Sequence, residues 1–184
     1  MDIFGIPSQT WFPVVTLIIG SLLKAAFDWV SDRRVTQRER DARRDQRNDA
    51  LRLRRIEFQR ATLLELQDAV IELARFAAQI QHHDFMASQA SGVWAKQSLP
   101  AEIDEGFRTA QASVNRYHVR SRDQQVRDLS ARLSSTCTDV GLARTQAISD
   151  RASQDMVDIN RKLNERIGIV LRTLEDDEDK VIED

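Results

Sequence analysis

Side chains able to do chemistry are few in this sequence, and their spacing keeps them apart. His82, His83 and Asp84 adjoin, while His118 lies well downstream. Adjacent positions on a helix diverge by about 100°, so His82 and His83 do not form the same-face pair that a metal ion requires. A ligand set would need His118 or an acid brought in by the fold; the ordinary reading is a polar helix end. Cys137 is the one cysteine, which excludes an internal disulfide. It falls on an apolar stripe among small residues, so it reads as core, the alternative being a redox-sensing thiol. Arg116, His118, Arg120 and Arg122 cluster where two helices meet, and read as a solvated turn that could meet a phosphate. Paired catalytic carboxylates, a phosphate-cradling glycine loop and a nucleophile elbow are absent. The sequence therefore assigns no catalytic, cofactor-binding or metal-binding residue.

The elements around these residues are helices. The chain has 184 residues and 21.1 kDa, enough for one modest domain with attachments. Three prolines and six glycines are too few for the turns of a sandwich or barrel. Ile56, Leu63, Leu66, Val70, Leu73, Ala77 and Ile80 step by threes, fours and one seven, a heptad-like seam with Gln59 in the vacant slot. Leu64, Ile71, Ala74 and Phe76 widen the stripe, favouring a globular bundle over a two-stranded coil. This helix is expected to run to about Ser88, with a break through Gly92 and Pro100. A second stripe joins Ile103, Phe107, Ala110, Val114 and Tyr117. Ser121 and Gln124 have the spacing of a capping box that opens a third helix, carrying Val126, Leu129, Leu133, Cys137 and Val140. After a break near Ser149 and Asp150, Met156, Ile159, Leu163, Ile167, Val170 and Leu174 form the last stripe. Short connections imply antiparallel neighbours around one core.

Upstream of the bundle the composition changes twice. Residues 11–30 are mostly apolar, and twenty helical residues reach roughly 30 Å, the thickness of a bilayer core. They read as a single transmembrane span, with an in-plane interfacial helix or a buried helix as alternatives. Trp11 and Trp29 suit the two interfaces, Lys24 and Asp28 share a face and can pair, and Arg33 and Arg34 flank the exit. The charge asymmetry places the N-terminus outside and the bulk in the cytoplasm of a bacterial plasma membrane. Residues 31–55 hold ten arginines against five acids. With opposite charges at helical spacing, this stretch reads as a solvated helical stalk touching anionic headgroups. Interleaved acids and missing stacking aromatics make nucleic acid an unlikely partner. Residues 175–184 carry seven acids and one lysine, an acidic tail expected to fray.

These boundaries give an anchor at 1–30, a stalk at 31–55, a bundle at 56–174 and a tail at 175–184. The fold class is all-α: a transmembrane helix continuing into a long charged helix, then an antiparallel bundle. Gly20, Ser21 and Ala25 would let two spans approach closely. Ile56, Leu63, Leu66, Val70 and Leu73 are a second candidate surface for helix association. The segments FQRATLLELQDAVIELAR (58–75), HHDFMA from His82 and LNERIGIVLR (163–172) resemble uncharacterised actinobacterial membrane-anchored helical proteins. That resemblance implies one N-terminal span, a bacterial plasma-membrane setting and no transferable activity. The expectation is a non-enzymatic scaffold that self-associates or holds a protein partner. Its rival is a membrane effector, of phage-exclusion or defence type, whose spans oligomerise and alter permeability.

Overall fold

A computed structural model describes residues 8–94 and 98–183; side chains are described from Thr16 onward, except at 26, 30–32, 34, 35 and 183. The protein is all-α, with α1 at Ser8–Ser91, α2 at Ala101–His118, α3 at Gln124–Gly141 and α4 at Gln146–Glu183. No strand occurs among the described residues. The chain divides into two compact units, Met1–Leu51 and Arg52–Asp184, and α1 contributes to both.

The second unit is a helical bundle, built where the sequence places its stripes. Leu63, Leu66, Val70, Leu73 and Ala77 of α1 are fully buried, as are Val114 of α2, Leu133, Cys137 and Val140 of α3, and Leu163 of α4. Polar pairs at the edges set the directions. Gln67 meets Asn164 at 2.9 Å and Gln81 meets Asp150 at 2.9 Å, so α4 runs antiparallel to α1. Gln59 reaches the end of α2 while Phe76 covers Gly106 near its start, so α2 is antiparallel too. Gly106 makes room at that crossing: an added Cβ would collide with the Phe76 ring, which would have to swing aside. Gln111 of α2 donates to Thr138 of α3 at 2.9 Å, and Trp94 closes the α1–α2 connection by donating to the Ala143 carbonyl at 3.0 Å.

Several boundaries differ from expectation, each for a local reason. Asp123, not Ser121, caps α3: its carboxylate accepts the Val126 N–H at 2.8 Å. The Ser121 hydroxyl is buried without a partner. α4 starts at Gln146 and passes through Ser149 and Asp150 unbroken, because Thr145 supplies its first-turn bond to the Ile148 N–H at 3.3 Å. The acidic tail stays helical to Glu183. Lys180 holds Asp177 at 3.0 Å, and Arg60 of α1 pairs with Glu178, which offsets the repulsion of the acid run.

The transmembrane expectation is overturned. Among the described residues, no helix is long and apolar enough to cross a membrane. From Thr16, where the described side chains begin, Lys24 and Asp28 interrupt the apolar stretch and Arg33 follows; spanning a bilayer takes about twenty predominantly apolar residues. The single-pass plasma-membrane placement and its orientation fall with it. The side chains of Trp11 and Arg34 lie outside the described residues.

Candidate interaction surfaces

In the first unit the described side chains lie open along α1. Leu17, Ile18, Ile19, Leu22, Leu23, Phe27 and Trp29 are each at least half exposed, Leu17 at 74% and Phe27 at 73%. A packed helix hides such residues; here seven of them fall within residues 17–29. A Cβ at Gly20 would meet open space, Ser21 turns its hydroxyl back to the Ile18 carbonyl at 2.9 Å, and Lys24, Ala25 and Asp28 are exposed. Arg33 lays its guanidinium 4.8 Å above the Trp29 ring, a cation–π contact. Further along, Glu39 and Arg43 form the i, i+4 pair expected of a solvated charged helix, at 3.8 Å.

The second unit uses its α1 seam differently from the association surface anticipated in the sequence. Leu63, Leu66, Val70 and Leu73 have no exposed surface, so they hold this bundle together and offer nothing to a second chain. Ile56 is only half-buried, because α2 and α3 meet at the turn opposite Gln59 and leave α1 and α4 to continue as a pair. There it lines a groove of about 510 Å³ with Val170, Leu174 and Val181 as floor and Arg52, Arg55, Arg122 and Lys180 at its rim. Gln59, read from the sequence as a gap in the seam, latches this end. Its amide donates to the Arg120 carbonyl at 3.1 Å and accepts the Arg122 N–H at 2.9 Å, satisfying the turn backbone from inside the bundle. The Arg166 guanidinium forks onto Asp123 at 3.2 and 2.5 Å. That fork, with the Val126 and Gln125 N–H groups, holds the Asp123 carboxyl below the usual carboxylate range against the opposing effect of burial. The arginine–histidine cluster is thus a latched turn: Arg120 lies 5.8 Å over Tyr117, His118 Nδ1 is 3.1 Å from the Val114 carbonyl, and Arg116 is exposed.

A second groove, about 610 Å³, runs between α1 and α2. Ala69, Phe76, Gly106, Ala110 and Tyr117 make its floor, and Glu65, Asp68, Glu72, Glu102 and Glu105 its rim. No lysine or arginine lines it.

The remaining chemical candidates separate in space. His82 is exposed, and His83 sits with Nδ1 3.8 Å from Asp84 near the C-terminal end of α1. His118 ends α2, beside the start of the bundle portion of α1. No group of three potential metal ligands forms among the described residues. Cys137 is fully buried, which pushes its thiol up to about 12 and keeps it protonated. Asp84 is 5% exposed, and burial raises its carboxyl while the nearby His83 opposes the shift. An acid whose folded value is raised adds stability below its unfolded value near 4, and loses it as pH rises through the folded value. Asp84→Asn is therefore expected to raise the melting temperature at pH 7, by on the order of 1 kcal/mol in stability. The gain should shrink as pH falls through the raised folded value, where Asp84 takes up its proton; thermal melts by circular dichroism across the acidic range check it.

Compared with models of known protein families, with curated proteins and with solved structures, the chain matches none.

Proposed function

We propose that this protein is a helical interaction module that works by binding, and that its copies associate through the apolar stretch of α1 at residues 17–29. The observation that carries this reading is the exposure there: seven large apolar side chains without cover in a single chain. Contiguous apolar surface of this kind marks an interface. Covering one such side chain contributes about 1.5–3 kcal/mol, so several together outweigh an association cost of roughly 4–15 kcal/mol. A second copy is the natural cover, since every copy presents the same stretch and a two-fold contact uses one patch twice. Gly20, Ser21 and Ala25 keep that stretch slim enough for two backbones to approach. The bundle of the second unit is then the part displayed, with its latched turn and two grooves. A catalytic role has less support: Cys137 is buried and protonated, and the histidines do not converge.

The test replaces Leu17, Leu22 and Phe27 together by glutamine. Light scattering on the full chain is expected to return 21.1 kDa for the variant and a multiple of it for the native protein. The thermal transition of the bundle should stay where it was. A variant with the native protein's oligomeric mass overturns the reading.

A further inference from the structure

The α1–α2 groove has a sign as well as a shape, and the chain itself contains the complement. Its rim carries five carboxylates: Glu65, Asp68, Glu102 and Glu105 are exposed, while Glu72 is engaged at 2.5 Å by Arg75, which also lies 5.0 Å over the Phe76 ring. Its floor is apolar, with the Phe76 ring seated on Gly106 at one end and Tyr117 at the other. A charged wall over an apolar floor suits an amphipathic basic helix, whose arginines pair outward while their aliphatic stems lie along the floor. Residues 31–55 are helical and hold ten arginines against five acids. The lengths agree: residues 38–55 make a helix of roughly 27 Å, and α2 from Glu102 to Tyr117 runs roughly 22 Å along the groove.

We infer that the α1–α2 groove docks the arginine-rich helix, residues 38–55, of a second copy of this chain. The contact is reciprocal, each copy supplying one groove and one basic helix. The inference rests on the proposed self-association and adds to it a second, charge-dependent contact, distinct from the apolar one at residues 17–29.

The test traps that contact between copies. Thr109 lines the groove and is exposed, and Gln46 is exposed on the basic helix. The buried, protonated Cys137 leaves engineered thiols as the reactive ones. Full-length Thr109→Cys and Gln46→Cys proteins are mixed and oxidised. A disulfide-linked dimer is expected at low salt and should fall about tenfold in roughly 0.5 M salt, where the Debye length is a few ångströms. Two charge variants then fix the cause: one carries Glu65→Lys, Asp68→Lys and Glu72→Lys, the other Arg43→Glu, Arg44→Glu and Arg47→Glu. With both cysteine partners in either background alone, cross-linking should be lost. With the groove cysteine in the lysine background and the helix cysteine in the glutamate background, it should return. A yield no higher than that of Gln125→Cys, an exposed control on α3, overturns the inference. Light scattering on the same samples separates the two ideas: associated chains without the cross-link sink only the groove contact, whereas 21.1 kDa chains sink the self-association beneath it.

Discussion

Leu63→Ala is expected to destabilise the bundle by about 3 kcal/mol, whereas Leu64→Ala, one residue along, should cost no more than about 1 kcal/mol. The two leucines are chemically identical and sit in the same turn of α1. Leu63 has no exposed surface and is enclosed by the four-helix core, so removing three carbons leaves a cavity that close-packed neighbours fill only partly. Leu64 is 47% exposed, and water takes up the vacated space. Against a total stability of about 5–15 kcal/mol for an ordinary domain, the first change removes a large share. Urea unfolding followed by circular dichroism measures both, with an unchanged slope expected for each. Equal losses would mean that the buried face of α1 is misassigned.

Asp123→Ala is expected to cost about 2 kcal/mol, because one carboxylate does two jobs. It caps α3 at the Val126 N–H, and it anchors Arg166 of α4, tying the α2–α3 turn to the opposite helix. Asp123→Asn keeps a capping oxygen and gives up the charge, so it should lose about half as much. The pH dependence carries the sign. Asp123 is held below its usual range, first by the Arg166 hydrogen bond, so its contribution is complete above the unfolded value near 4. That contribution disappears as pH falls through the lowered folded value. The gap in melting temperature between native protein and Asp123→Ala should therefore be flat from pH 5 to 7 and close below pH 4.

The contrast between Leu63 and Leu64 also marks what the sequence made legible. Steps of three and four along α1, α2, α3 and α4 identify the residues that are buried, because a helix turns the same face inward every 3.6 residues. That rule separates Leu63 from Leu64 and puts Cys137 in the core. It has no means of telling whether a buried face meets its own chain or another, so the seam from Leu63 to Leu73 read equally as a surface for association. The turn at Ser121 was misread because two capping patterns overlap there. Gln59, sixty residues earlier in the chain, grips the turn backbone, and Arg166 selects Asp123 as the cap. The tail was misread because its pairing with Arg60 is tertiary, invisible in a run of acids. At residues 11–30 the span reading took Lys24 and Asp28 as a pair that a membrane interface could hold; among the described residues the helix they interrupt is not apolar enough to cross a membrane. Neither groove was legible, since each depends on which helices become neighbours.

Equilibrium sedimentation of the full native chain, in buffer free of detergent and lipid, bears most directly on association through the open face of α1. The expected mass is a multiple of 21.1 kDa at high micromolar concentration and falls toward 21.1 kDa on dilution. A single species of 21.1 kDa at every concentration, with assembly only after lipid vesicles are added, would contradict it.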